Sequence, residues 1–201
     1  MKTKSKALLM TLCAVLLVAA SVLGTMAYLT SQDSVTNTFS IGKINITLDE
    51  VDVDDSTPGA DRDKANAYHL LPGHKYDKDP TVHVTANSED SWIFVKVENG
   101  IAAIEAEGGN TIAKQIKAKG WKQLTDANSE PVANVYYKSY AKSATQQDLT
   151  VFESFTVKDG ATETELKNYK DASITITAYA IQKDANLNTP AAAWAAGGFG
   201  A

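Results

Sequence analysis

The stretch ITITAYA at residues 174–180 and the stretch WIFVKV at residues 92–97 both alternate branched aliphatic or small residues with larger or polar ones. A period of two places every second side chain on one face of an extended chain, which is typical of a β-strand with one buried face. Four further runs have the same character, at residues 44–48, 81–85, 135–138 and 149–157. The last run loses its period near Phe152 and Glu153, which predicts a β-bulge.

At least six strands separated by turn-rich connectors predict an all-β chain, folded as a jelly-roll-like β-sandwich. One short helix interrupts the strands: Asn110 is expected to cap it, Ile112 and Ile116 share one face, and Gly120 ends it. Trp121 is expected to dock onto the sandwich. The connector at residues 49–67 is acidic and contains Pro-Gly, which predicts a surface loop.

The amino terminus has the pattern of a secretory signal peptide. Three lysines lie within the first six residues, and an uncharged apolar stretch follows at residues 7–23. The small residues Thr25 and Ala27 then stand where a signal peptidase reads them, so cleavage is expected before Tyr28. The alternative is an uncleaved membrane anchor, since about 20 apolar residues span a bilayer.

Cleavage would remove Cys13, the only cysteine, so the mature chain would hold itself together without disulfides. Losing the three lysines would change the net charge from −5 to −8. A negative chain of this kind is unsuited to nucleic acid or to an anionic membrane surface. The predicted organisation is a signal peptide at residues 1–27, an amino-terminal extension at 28–38, a β-sandwich at 39–196 and a flexible tail at 197–201.

Sequence motifs of catalysis are absent from the chain. His69, His74 and His83 do not form H-E-x-x-H, and His83 is expected on the polar surface of a strand. Seven acidic residues crowd positions 49–63, but without the spacing of a calcium loop they indicate a solvated acidic loop. No nucleophile elbow and no phosphate loop occur. Neither a metal nor a cofactor is therefore expected, and we expect no enzyme on chemistry alone.

Several stretches together resemble the TasA/camelysin family. GTMAYLT at residues 24–30 leads into NTFSIGKINITL at 37–48, similar to the amino-terminal signature of that family. LPG at residues 71–73, KDPTV at 78–82 and WIFVKV at 92–97 are similar to its central block. ITITAYAIQ at 174–182 and AAW at 192–194 are similar to its carboxyl-terminal block.

The resemblance implies a secreted jelly-roll subunit of biofilm-matrix fibres of a Gram-positive bacterium, located in the extracellular matrix or at the cell surface. It implies processing by a SipW-type signal peptidase, and contact with the membrane only before that cleavage. It also implies self-association into filaments, in which each subunit donates an amino-terminal strand to a neighbour. Camelysin is described as a surface metalloprotease, but the chain has no zinc-protease motif to support that activity.

The segment at residues 28–38 has the properties of a donated strand. Leu29, Val35 and Phe39 follow one another at even spacings, so they lie on one face of an extended chain. The segment contains neither proline nor glycine. Adding such a strand to an open sheet edge would satisfy unpaired backbone groups and bury Leu29 and Val35.

Two other functions remain open at this point. One is a camelysin-like cell-surface metalloendopeptidase, which bound zinc and chelator-sensitive proteolysis would indicate. The other is a cell-surface binding module, for which Trp92, Tyr136, Tyr137, Tyr140 and Tyr179 are candidate sugar-binding side chains. At strand spacing, such aromatic residues also form cross-strand packing pairs.

We predict cleavage between Ala27 and Tyr28. Amino-terminal sequencing of the protein recovered from the culture medium should read Tyr28-Leu29-Thr30. Recovery of a chain that still begins at Met1, or of a membrane-embedded full-length chain, would contradict the signal-peptide interpretation.

Overall fold

The computed structural model describes residues 10, 12–16, 43–54, 61–108 and 110–199. The chain divides into two compact units, residues 1–40 and 41–201. In the first unit, Met10 and residues 12–16 are helical. Across the described parts of the chain, no helix has the length and apolar character needed to cross a membrane.

The second unit is built mainly of β-strands, which pair antiparallel in every described sheet. The strands are β1 (Ile46–Val51), β2 (Arg62–Asp63), β3 (Lys75–Asp77), β4 (Thr81–Val84), β5 (Ser91–Asn99), β6 (Lys122–Thr125), β7 (Pro131–Tyr140), β8 (Gln147–Thr150), β9 (Ser154–Thr156) and β10 (Ile174–Gln182). The helices are a 3₁₀ turn (Ala102–Ile104), α1 (Ile112–Ala118), α2 (Glu163–Lys167) and α3 (Pro190–Gly197). The predicted all-β class is confirmed.

Two four-stranded sheets dominate, with strand orders β2-β1-β4-β8 and β10-β5-β7-β6, and β3 pairs with β9 in a small third sheet. Both large sheets contribute to one hydrophobic core, from Val82 and Val84 on β4 to Ile93 and Val95 on β5. This sharing of a core between two sheets is the arrangement of a β-sandwich. The alternation read from the sequence therefore places the aliphatic residues of these strands inside.

The second large sheet is also covered on its outer face. Phe94 and Val135 are buried there with Ala193 of α3, and Trp194 packs against them. The ring centroids of Phe94 and Trp194 are 5.2 Å apart. Helix α3 begins at the Thr189 cap and Pro190, a favoured first helical residue. This explains why β5 carries large apolar side chains on both faces.

The predicted run at residues 149–157 is two strands and not one bulged strand. β8 ends at Thr150 and pairs with β4, whereas β9 begins at Ser154 and pairs with β3. Val151 and Phe152 between them are fully buried. The period breaks because the chain leaves one sheet for another.

Two predictions about helices are corrected. The structure has α2 and α3 in addition to the single helix expected, which is α1. The N-cap of α1 is Thr111, not Asn110, and the carboxylate of Glu105 accepts the N–H of Ile112 at this helix start. Gly120, with φ of 82°, follows the helix end as predicted.

Two predictions about connectors are also corrected. The acidic connector is not wholly a loop, because Asp49 and Glu50 belong to β1 and residues 62–63 form β2. The tail predicted as flexible begins within α3, and the ring of Phe199 stacks on Tyr179 with centroids 4.6 Å apart. Trp121 is buried, as expected.

We predict that Phe152→Ala lowers the free energy of unfolding by about 3–5 kcal/mol, because it leaves a cavity at the point where the chain passes from β8 to β9. Val53→Ala is the matched control, since Val53 is 44% exposed and should change stability by less than about 0.5 kcal/mol. Urea denaturation followed by tryptophan fluorescence measures both. Equal effects of the two substitutions would contradict this account of the core.

Candidate functional site

Every residue predicted to act in processing or assembly lies outside the described residues. These are Thr25, Ala27 and Tyr28 for cleavage, and Leu29, Val35 and Phe39 for strand donation. Their predicted roles therefore remain predictions. The structure does describe the strand edges of the sandwich.

A large groove opens along one side of the sandwich. On this side of the first sheet, β2 pairs with β1 only at Glu50 and Val51, and β10 is the edge strand of the second sheet. We call it the β1–β10 groove. Its volume is about 1540 Å³, above the roughly 300–1,000 Å³ of common small-molecule pockets. Apolar side chains that belong to the main core line it, among them Ile46, Leu48, Leu70, Phe155, Ile174 and Ile176. Partly buried side chains of the main core therefore line this groove in the described part of the chain.

On the side of this groove, alternate backbone groups of β10 have no partner strand among the described residues. The N–H of Gly100 donates to the carbonyl of Ser173 at 2.9 Å, and the N–H of Lys183 donates to that of Asp90 at 2.8 Å. The odd-numbered residues of β10 consequently form the hydrogen bonds to β5. In an antiparallel ladder the groups of alternate residues point the other way. The N–H and C=O groups of Ile174, Ile176 and Ala178 therefore face away from β5, towards the open side.

The backbone of β1 has the same arrangement over its first half. Thr85 donates its N–H to the carbonyl of Asn45 at 3.0 Å, so odd-numbered residues of β1 face β4. The groups of Ile46 and Leu48 thus face away from β4, and β2 begins its pairing only at Glu50. The groove thus lies between the edges of β1 and β10. On each strand, the residues whose side chains face the core are also those whose backbone groups point away from the neighbouring strand.

The opposite side of the sandwich is closed. There β8 and β6 are the edge strands, and Trp121, just before β6, is 2% exposed. Its indole N–H donates to the carbonyl of Thr150 on β8 at 2.9 Å. A buried aromatic side chain thus joins the two sheets at that edge, whereas between β1 and β10 no backbone pairing links the described residues.

Charged side chains hold the end of β1 at the rim of the groove. Arg62, the only arginine of the sequence, lies between Asp49 and Asp79 and reaches Asp79 Oδ2 at 3.0 Å. Asp79 also accepts the N–H of Val51 at 2.7 Å. The acidic residues predicted to form a solvated loop therefore include paired ones. A single arginine among carboxylates was the sequence signal for this cluster.

A second ion pair at the rim is buried. Glu50 and Lys78 are 5% and 6% exposed, and their side chains are in direct contact. The amide nitrogen of Asn66 donates to the other oxygen of Glu50 at 3.0 Å. Sequence reasoning missed this group, because Glu50 was read as part of an exposed loop.

His83 is not the simple surface histidine that the sequence predicted. Its ring lies on the outer face of the first sheet, with Nδ1 2.7 Å from Asp148 and Nε2 2.9 Å from Asp49. Burial alone would lower the pKa of His83, but the hydrogen bonds to Asp148 and Asp49 and their charges outweigh it, so the pKa is raised above 6.5. Burial would raise the pKa of Asp49, yet its bonds to Arg62 and His83 lower it.

The other predicted candidates do not come together into a catalytic group. The ring of His74 packs against Tyr76 with centroids 4.6 Å apart, and the carbonyl of His69 accepts the hydroxyl of Tyr76. Within the described ranges, no three histidine, cysteine or acidic side chains are grouped so that they could hold a metal ion.

The candidate sugar-binding aromatic residues do not share one face. Tyr136 and Tyr140 are buried in the main core. Trp92, Tyr137 and Tyr179 pack against the second cluster under α3. Their contacts are those of packing pairs.

Comparisons with protein-family models, with curated proteins and with solved structures gave no match for this chain.

We predict that protonated His83 stabilises the fold. Because the pKa is higher in the folded state, this stabilisation is complete below about pH 6.5 and is lost as pH rises through the folded-state pKa. The free energy of unfolding lost in His83→Gln should therefore be larger at pH 5.5 than at pH 9, in urea titrations at both values. Asp148→Asn keeps the ring but removes one partner, and should reduce this pH dependence. A His83→Gln deficit that grows with pH would contradict the assignment.

Proposed function

We propose that this chain is a secreted structural subunit of extracellular matrix fibres, and that residues 28–38 of one subunit enter the β1–β10 groove of the next. One observation carries the proposal: among the described residues, alternate backbone groups of β10 have no partner strand on the side where a groove lined by core side chains runs. An inserted strand would satisfy both needs at once, since it brings backbone partners and apolar side chains together.

The amino-terminal segment suits this groove in length and chemistry. It has 11 residues, and β10 offers an edge of nine. At about 3.3 Å per residue these are similar lengths. Leu29 and Val35 fall on the face that would meet the core. Asp33, the only charged residue of the segment, falls on the same face, so insertion must leave its carboxylate exposed to solvent.

Insertion into a neighbour is a head-to-tail contact, because the donated segment and the groove are different surfaces of the subunit. Such a contact gives a ring where the rotation between subunits closes, and otherwise an open filament with one groove and one segment free at its ends. The basic start, apolar middle and small residues before Tyr28 support export, and a membrane-tethered segment would be released by cleavage.

We further infer that the sandwich is of the jelly-roll type, since its eight main strands form two four-stranded sheets. The resemblance to the TasA/camelysin family supports the same function on independent grounds. The endopeptidase alternative has no described metal-binding group behind it. Bound zinc with chelator-sensitive proteolysis would replace our proposal with that activity.

The first test compares a chain that begins at Tyr28 with one that begins at Thr38. We expect the longer chain to form filaments at high concentration and the shorter chain to remain a folded monomer, by size-exclusion chromatography and electron microscopy. Filaments of the shorter chain would exclude strand donation. A monomer in both cases, with melting that shifts on adding a small ligand, would favour a binding module.

A sharper test changes the acceptor. In Ala178→Pro the outward N–H of Ala178 is lost while the bonds between β10 and β5 remain, and proline is tolerated on such an edge. Ala178→Ser keeps the N–H and is the matched control. Mixed with wild-type subunits, Ala178→Pro should shorten filaments and Ala178→Ser should not. Filaments of unchanged length with folded Ala178→Pro would argue against β10 as the acceptor edge.

A further inference from the structure

A lysine, a glutamate and an asparagine that line the β1–β10 groove meet in an arrangement unlike the surface ion pairs. Among the ion pairs between described residues, Lys78 and Glu50 form the one in which both side chains are more than nine-tenths buried, with 8% and 6% of their side chains exposed. By comparison, Lys119 and Glu153 are 35% and 63% exposed. Burying two charges costs several kcal/mol per ion, so the pair is a poor stabiliser compared with apolar residues.

The amide of Asn66 is fixed beside this pair. Its nitrogen donates to Glu50 Oε1 at 3.0 Å and to the carbonyl of Val51 at 2.8 Å. Its oxygen accepts the N–H of Val53 at 2.8 Å. The two oxygens of one carboxylate thus contact the lysine amine and the asparagine amide. A backbone N–H on the amide oxygen polarises the carbonyl and would stabilise negative charge there.

Aromatic side chains surround the group. The amine of Lys78 lies 5.8 Å from the ring centre of Tyr68, and that ring packs edge-on against Phe155 at 5.1 Å. Phe155 is 2% exposed. The aromatic rings therefore lie against the side of the group where the lysine amine is held.

We propose that Lys78, Glu50 and Asn66 form a self-modifying site, at which an amide bond joins the side chains of Lys78 and Asn66. Glu50 takes a proton from the Lys78 ammonium, and the lone pair of the neutral amine attacks Cγ of Asn66. A C–N bond forms between Lys78 Nζ and this carbon, and the bond from the carbon to Nδ2 breaks. Glu50 gives its proton to Nδ2 and takes the second one from Nζ.

The products balance the reactants. Lysine ammonium, carboxylate and primary amide become one secondary amide, one carboxylic acid on Glu50 and one molecule of ammonia. No oxidant, reductant or cofactor is required. Holding amine, amide and proton carrier together makes the step unimolecular, the main advantage that a folded protein offers to amide exchange.

The bond would tie the connector after β2, which lines the groove, to the segment between β3 and β4. Asn66 lies in the segment after β2 that lines the groove, and Lys78 stands just before β4. The inference does not depend on strand donation, since the three side chains lie within one subunit. A covalent tie would keep this connector in place whether or not the groove is occupied.

The test is the intact mass of the purified full-length protein, compared with the mass expected for its measured amino terminus. We expect the wild-type chain to be lighter by one ammonia molecule. Acylated Lys78 resists trypsin, so digestion should release residues 65–75 joined to residues 76–96. A wild-type chain with its full sequence mass would overturn the proposal.

Asn66→Ala removes the electrophile but leaves the Lys78–Glu50 pair intact, so the chain should fold and keep its full mass. Lys78→Arg keeps the positive charge and is expected to have its full mass as well. Loss of ammonia that persists in Asn66→Ala would arise elsewhere, for example from a cyclic imide at Asn99-Gly100, and would also overturn the proposal. In Asn66→Asp the joined peptides should reappear with loss of water in place of ammonia.

Discussion

The structure depends on one constraint: a strand edge that faces apolar core needs a partner for its backbone and a cover for its side chains at the same position. In β10, Ile174 and Ile176 direct their side chains into the main core and their N–H and C=O groups towards the open side. In β1, Ile46 and Leu48 do the same. Water satisfies the backbone groups but not the apolar side chains. A polypeptide strand is the kind of ligand that meets both needs.

The charged residues at the rim explain how β1 keeps its place without a full partner on its outer side. Arg62 bridges Asp49 and Asp79, and Asn66 bonds to both Glu50 and Val51. Since β2 has only two residues, these side-chain contacts supply further bonding partners to the end of β1. Polar networks in a low-dielectric setting are directional, so they fix the position of the strand end more than they add stability.

The sequence predicted the strands well because their alternation is local. Residues 92–97 and 174–180 both lie in strands, and their aliphatic side chains point into the main core as expected. The break at Phe152 was visible, but its cause was not, since a bulge and a change of sheet disturb the period alike. Helix α3 lacks the apolar stripe that would announce it, because alanine dominates its sequence.

The acceptor side of the proposed site could not be predicted from the sequence, and the donor side remains a prediction. Even spacing of Leu29 and Val35 is a property of the sequence, whereas the acceptor depends on which strands become edges. Edge position follows from the pairing order of distant segments: β10 pairs with β5 about 80 residues earlier, a range at which periodicity carries no information. The buried pair of Glu50 and Lys78 escaped notice for the same reason.

The chemistry of the groove also bears on how subunits of one charge sign can associate. After the predicted cleavage each subunit carries a net charge of −8, and like-charged proteins repel over a Debye length of about 8–10 Å. In the proposed assembly, attraction would then have to come from short-range contacts, namely backbone hydrogen bonds along β10 and burial of a few aliphatic side chains. Such contacts would form only after the strand has entered in register, because a shift by one residue turns Leu29 and Val35 away from the core. The groove would therefore select a strand by the spacing of its apolar residues, and its charge would discourage looser encounters.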